Sequence, residues 1–192
     1  MATTSSRDII LETARNIFKR FGFAKTSIGD IAVAARKGRR TIYTYFESKE
    51  DIYKAVIEKE VDVLRTKLTE VIFADSNAKG KLKGYMITRM MTINELANYY
   101  EALRNDYLQD FKIIENIRED FDNEEINMIS QILTEGVENN EFKIENINLT
   151  AKAIVIALKG FEIPFFIEKV DKDIEGQLNS LIDILFNGIL KR

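Results

Sequence analysis

Apolar residues recur at helical spacing along almost the whole chain, and no stretch of useful length alternates apolar with polar as a half-buried strand does. This regularity confines the chain to helix-on-helix architectures. The first stripe, Ile10, Ala14, Ile17, Phe18 and Phe21, is closed by Gly22. Three Ser-x-x-Asp patterns mark helix starts: Ser5 with Asp8, Ser27 with Asp30, and Ser48 with Asp51. In each, the serine hydroxyl accepts an N–H that has no partner within the helix, and the acid reaches back to the cap. The second pattern opens a short helix carrying Ile28, Ile31, Ala32 and Ala35. The third opens a long one, striped from Ile52 through Val56, Val61, Leu64 and Leu68 to Ile72, about six turns at 3.6 residues per turn.

A polar stretch over residues 74–80 is the best linker candidate, after which helical periodicity resumes from Leu82 to about Ala97 and again through Tyr107 and Phe111. Residues 124–139 read as a further helix and 140–148 as a turn region. Residues 149–168 are apolar nearly all round and call for burial on more than one side, with Pro164 expected to kink them. A final stripe runs Ile174, Leu178, Leu181, Ile182, Leu185, Phe186, Ile189. The expectation is an all-α chain with a small N-terminal body over 1–48, a linking helix over 49–73 and a C-terminal helical body over 74–192.

Composition removes most chemistry. The 192 residues include no Cys and no His, so thiolate zinc sites, Cys nucleophiles and the commonest general base are absent. The acidic run Glu119, Asp120, Asp122, Glu124 and Glu125 lacks the glycine of an EF-hand loop, and Ser48 is accounted for by capping. No catalytic residue, metal ligand or cofactor is expected. Residues 1–6 are small and polar with no export signal, and the richest apolar stretch is broken by Lys152, Lys159 and Glu162. A cytoplasmic protein without membrane contact follows as the expectation.

Charge is unevenly divided. The net −3 conceals +6 over residues 1–49 and −9 over the remainder. The basic end is the natural polyanion-facing end. Within it, residues 27–47 read as a short helix, the turn Arg36-Lys37-Gly38 and a second short helix near 39–46, a helix-turn-helix. Ile42 and Phe46 share one face and suit packing on Ile31 and Phe18, which leaves Arg39, Arg40, Thr41, Tyr43 and Thr44 for solvent or a partner. Arg36, Lys37, Arg39 and Arg40 attract a phosphate backbone, and arginines at a helix start can also reach guanine edges in a major groove. Tyr43 and Tyr45 can donate hydroxyls to phosphates, and Lys49 at its helix N-terminus suits one more.

The motifs Phe21-Gly22-Phe23, Thr26-Ser27, Asp30-Ile31-Ala32, Thr41-Ile42-Tyr43-Thr44-Tyr45-Phe46 and Ser48-Lys49-Glu50-Asp51-Ile52 resemble the DNA-binding domain of TetR-type regulators over about residues 7–57. Weaker resemblance continues over 133–142 and 151–160. It implies an all-helical homodimer that represses transcription until a small molecule binds the C-terminal body. By position, Thr26 or Ser27 would touch the DNA backbone, Arg39, Arg40 and Thr44 would face bases, and Thr41, Tyr43, Tyr45 and Lys49 would hold phosphates, with Lys37 in the basic turn. The turn departs from the family pattern, which has Gly, an apolar and a small polar residue where Arg36, Lys37 and Gly38 stand.

The implied partners are a pseudo-palindromic double-stranded operator, a second copy and an unidentified effector. Met86, Met90, Tyr107, Phe111, Phe161 and Phe165 are the effector candidates, since methionine and aromatic side chains adapt to apolar or amphiphilic ligands. Ile154, Leu158, Phe161, Leu178, Leu181, Leu185 and Ile189 offer more apolar surface than one slender body covers, and are the candidate seam between two copies. A DNA-binding helical regulator with no small-molecule ligand stays open as the alternative.

Overall fold

All three Ser-x-x-Asp patterns start a helix. The Ser5, Ser27 and Ser48 hydroxyls accept the N–H of Asp8, Asp30 and Asp51 at 3.1, 3.2 and 3.0 Å, and Asp30 returns the bond by accepting the Ser27 N–H at 2.9 Å. The computed structural model describes residues 5–99, 101–167 and 173–187, with side chains over 5–96, 118–162, 173 and 176–187. Among them are eight helices and no strand: α1 (Ser6–Phe21), α2 (Ile28–Ala34), α3 (Arg39–Tyr45), α4 (Lys49–Ile72), α5 (Ala78–Tyr99), α6 (Glu101–Glu138), α7 (Ile147–Ile167) and α8 (Ile174–Asn187). None of the described helices is long and apolar enough to cross a membrane.

The chain divides into two compact units, residues 1–63 with 95–121, and residues 64–94 with 122–192. In the first, Ile10, Ala14 and Phe18 of α1, Ile31 of α2, Ile42 of α3 and Phe46 just beyond it share one core with Ile52, Tyr53 and Val56 of α4. Burying each large side chain stabilises by about 1.5–3 kcal/mol. Edge-on packing of Phe18 against Tyr53, ring centres 5.2 Å apart, fixes the start of α4 on α1. Arg15 adds a two-point contact to Glu60, with Nε 2.6 Å from Oε1. The recognition segment is therefore seated on a rigid base.

In the second unit, Leu64, Leu68, Leu82, Met86, Ile129, Leu133, Val155, Leu158 and Ile182 are buried. Residues 101–138 form one helix of 38 residues, where the sequence suggested a separate helix beginning near 124. Nothing between Glu101 and Gly136 breaks a helix, and two members of the acidic run are ion-paired: Asp122 to Lys159 at 2.5 Å, Glu124 to Arg65 at 2.6 Å. The helix stops at Asn139. Asn140 adopts φ 59, and the N–H groups of Asn140 and Glu141 bond to the carbonyls of Val137 and Gly136. Gly136 is required there, because a Cβ would lie 2.1 Å from the Phe142 ring. The connection between α4 and α5 is residues 73–77, shorter than the polar stretch implied.

Candidate nucleic-acid interface

α3 has seven residues, and one of them anchors it. Ile42 is fully buried, while Arg39, Arg40, Tyr43, Thr44 and Tyr45 are exposed and Thr41 half-buried. A short helix held by one apolar face presents the other to a partner. Its exposed face carries two guanidinium groups and four hydroxyls if the half-buried Thr41 is counted, of which the guanidinium groups and the Thr41, Tyr43 and Tyr45 hydroxyls are donors that phosphates and base edges accept. Thr44 spends its own proton on the Arg40 carbonyl at 3.0 Å, which leaves its oxygen as an acceptor.

The turn has a defined geometry. The N–H groups of Arg36 and Lys37 bond to the carbonyls of Val33 and Ala32 at 3.1 and 3.0 Å, the paired bonds that end a helix when the next residue is left-handed. That left-handed residue is Arg36, at φ 54. Gly38 is instead extended, φ −70 and ψ 148, and its carbonyl accepts the first bonds of α3 from Thr41 and Ile42. The family departure in the turn thus puts an arginine where glycine is easiest.

Arg39 leans on α2. A Cβ at Gly29 would sit 2.6 Å from its Nη2, so the missing side chain makes the notch in which the guanidinium lies. Sequence reading did not single out Gly29; its only signal was a glycine inside a helical pattern. The Ser27 hydroxyl holds the Asp30 carboxyl below its ordinary value, helped by the Ser27 N–H and, to a smaller extent, by Arg39.

Thr26 is a correction. It is buried, and its hydroxyl donates to the Gly22 carbonyl at 2.7 Å, so it secures the turn after α1 instead of facing DNA. Ser27 is exposed beside it. Lys37 is half-buried. Lys49 is half-buried, with Nζ donating to the Phe23 carbonyl at 2.9 Å and lying 4.1 Å from the Phe23 ring centre. One of its three protons is committed to the fold, a partner that sequence spacing gave no means of seeing.

In the C-terminal unit the candidate residues separate. Met86 and Met90 are buried in the packed core. Phe161 is half-buried, and the side chains of Tyr107, Phe111 and Phe165 lie outside the described residues. Between α5, α6 and α7 sits an ion cluster that the sequence did not announce, Arg89 with Glu125 and Glu162. The seam also needs revision. Ile154, Leu158 and Leu178 are buried in the unit's own core and have no surface left to share. Leu181 is half-buried, Leu185 is exposed, and Ile189 lies outside the described residues. The exposed apolar stripe of α7 is Leu149, Ala153, Ile156 and Gly160, with Ile184 and Leu185 exposed on α8.

Known proteins share both the chain order and the fold. A family model described as bacterial regulatory proteins of the tetR family matches residues 10–56, and one described as the C-terminal region of QacR-like protein matches 67–191. The HTH-type transcriptional regulator QacR of Staphylococcus aureus is 24% identical over 96% of this chain and 98% of its own. The fatty acid metabolism regulator protein of Bacillus subtilis is 24% identical over 94% of this chain and 93% of its own. A transcriptional regulator from Cytophaga hutchinsonii superposes with TM-score 0.76 at 24% identity, covering 96% of this chain and 98% of that one. Bacillus subtilis FadR, solved with stearoyl-CoA, gives 0.72 at 24%, over 95% and 98%. The second family model alone spans more than half of the chain, and it follows a helix-turn-helix that a tetR-family model also matches. The chain is accordingly a transcriptional regulator and belongs to the TetR family of bacterial regulatory proteins.

Proposed function

We propose that the chain is a homodimeric repressor acting in the cytoplasm on a pseudo-palindromic operator, with Arg39, Arg40 and Thr44 facing bases and Ser27, Lys37, Thr41, Tyr43, Tyr45 and Lys49 on or beside the backbone. The observation that carries it is α3: one buried residue, Ile42, and an opposite face of cations and hydroxyls. In a two-fold dimer the two copies of α3 enter successive major grooves about 34 Å apart. The exposed stripe Leu149, Ala153, Ile156 and Gly160 on α7, with Ile184 on α8, supports a helical seam between copies.

Release by an apolar or amphiphilic effector completes the reading, supported by the solved relative that carries stearoyl-CoA. Such a ligand derepresses only by binding the DNA-incompetent state more tightly. The alternative, regulation without a small molecule, is favoured by the burial of Met86 and Met90 and by the ion cluster in the same unit. Selection of bound sites from random duplexes at stated salt tests the DNA reading, with a pseudo-palindrome expected and no enriched motif overturning it. Titrating the selected operator with and without long-chain acyl-CoA, fatty acids and aromatic compounds tests the effector. A ligand that raises Tm and lowers operator affinity supports it, and one that raises Tm alone removes the gating claim.

A further inference from the structure

A second surface of the N-terminal unit is unlike the DNA-reading face. Between α1 and α2 runs an open cleft of about 730 Å³. Its apolar lining is Ile17, Phe21, Val33 and Ala34, and its cations are Arg20 and Lys25. Val33 is 81% exposed and Phe21 49%, although both belong to helices whose Ile10, Phe18 and Ile31 form the core. The Arg20 guanidinium lies 5.1 Å from the Phe21 ring centre, so charge and apolar surface adjoin. Asp30 also borders the cleft and keeps its negative charge, its carboxylate accepting the Ser27 hydroxyl and N–H at 2.6 and 2.9 Å. Against this one anion the cations Arg20 and Lys25 leave the cleft net positive.

We propose that this cleft docks an acidic amphipathic helix of a partner protein. An apolar floor bordered by cations matches a helix that places leucine-like residues at i, i+3 or i+4 and i+7 and glutamate or aspartate beside them. A duplex matches it poorly, because phosphates pair with Arg20 and Lys25 and give Val33 and Phe21 nothing apolar to cover. Strand addition has no edge to use, since the described residues contain no strand. Lys25 stands two residues before Ser27 at the edge assigned to DNA, so a helix in the cleft neutralises a cation beside the operator and competes with it. This competition rests on the DNA reading above; docking itself does not.

The test uses the full chain and a synthetic 18-residue helical peptide with leucine on one face and glutamate elsewhere, labelled for fluorescence anisotropy. A scrambled peptide of the same composition, its leucines spread around the helix, is the control. Saturable binding is expected, at least tenfold tighter than the control, and weakened at least tenfold by Val33→Asp and by Lys25→Glu. Val33→Asp should leave operator affinity unchanged. Equal binding of both peptides, or full binding by folded Val33→Asp, overturns the proposal. So does loss of operator affinity in Val33→Asp, which would assign the cleft to the DNA footprint. Should Val33→Asp fail to match the wild-type circular dichroism and Tm, Val33→Ser is judged by the same criteria. Failure to select any operator, with peptide binding intact, removes the DNA reading and leaves the docking site standing.

Discussion

Arg89 grips Glu125 at two points, Nε to Oε1 at 2.6 Å and Nη2 to Oε2 at 3.0 Å, with both side chains fully buried. Its remaining nitrogen, Nη1, lies 2.5 Å from Glu162 Oε1, and the Tyr85 hydroxyl donates to Glu125 at 3.0 Å. Burial works to lower the Arg89 pKa, but the charges of Glu162 and Glu125 outweigh it and raise the value. Burial first, and then the Glu125 charge, push the Tyr85 phenol up, so it stays a donor. One guanidinium thus ties α5, α6 and α7 together.

Removing only the cation leaves two carboxylates in the interior. Arg89→Met is expected to cost about 3–5 kcal/mol, the range for breaking a buried pair. Replacing all three as Arg89→Met, Glu125→Leu and Glu162→Leu is expected to restore most of that stability, because the desolvation of three charges disappears with them. Urea unfolding followed by circular dichroism distinguishes the two. A cost below about 1 kcal/mol for Arg89→Met would show that the carboxylates find other partners.

The turn before α3 gives a prediction of opposite sign. Arg36 sits at φ 54, where a side chain costs roughly 1–2 kcal/mol, offset in part by the greater freedom of glycine in the unfolded chain. Arg36→Gly should stabilise by up to about 1 kcal/mol. Gly38→Ala should be tolerated, since Gly38 is extended and a Cβ there meets nothing nearer than the Thr41 hydroxyl at 3.9 Å. Thermal denaturation of the two variants checks both. A stabilised Gly38→Ala beside a destabilised Arg36→Gly would invert the assignment of the turn.

Local signals in the sequence were sufficient for the caps and the exposed face of α3, because each depends on residues within one or two helical turns. Ser27 with Asp30 and Ile42 with Phe46 are of this kind. What stayed hidden involves partners far apart in sequence. Arg89 and Glu125 are 36 residues apart, and Lys49 and Phe23 are 26 apart. Helical spacing shows that Leu158 and Leu178 are apolar-face residues, yet not whether that face turns to its own core or to a second copy. On α7, apolar nearly all round, the same spacing selects two faces at once. Thr26 fell to a similar ambiguity, since a threonine before a helix can cap inward or face outward.

Those two faces are separable by mutation. Ile156→Glu with Ile184→Glu alters exposed positions and should yield folded monomers in sedimentation, if the exposed stripe is the seam. Leu158→Ala and Leu178→Ala, at buried positions, should each lower stability by about 2–5 kcal/mol while the folded fraction keeps its mass. A dimer that survives both glutamates places the seam elsewhere.

The cap of α2 is expected to respond to acid. Asp30 titrates below its ordinary value chiefly because it accepts the Ser27 hydroxyl. Its folded pKa lies below the unfolded value of 3.8, so the cap's contribution is complete above about that pH. It fades as pH falls through 3.8 toward the folded pKa. Ser27→Ala removes the largest cause and should move the Asp30 pKa upward, read from its carboxyl carbon by NMR, while Asp8, capped by Ser5, stays low. An unmoved Asp30 would show that the backbone N–H suffices.

Gly29 tests whether the placement of Arg39 matters for reading DNA. The three atoms nearest a Cβ at this position all belong to the far end of the arginine, the closest at 2.6 Å, so Gly29→Ala displaces the guanidinium first. Within a helix the same change favours folding by roughly 1 kcal/mol. Stability should therefore hold or rise. If Arg39 makes a bidentate base contact from the notch, displacement costs specific affinity by about 1–3 kcal/mol and leaves scrambled duplex untouched. Arg39→Ala should show the same loss, and the double variant no more than either alone, because both remove one contact. Titration of the three variants against operator and scrambled duplexes decides it. Additive losses would mean that Gly29 acts on DNA by another route, and full operator affinity in Gly29→Ala would mean that Arg39 leaves the notch when it binds.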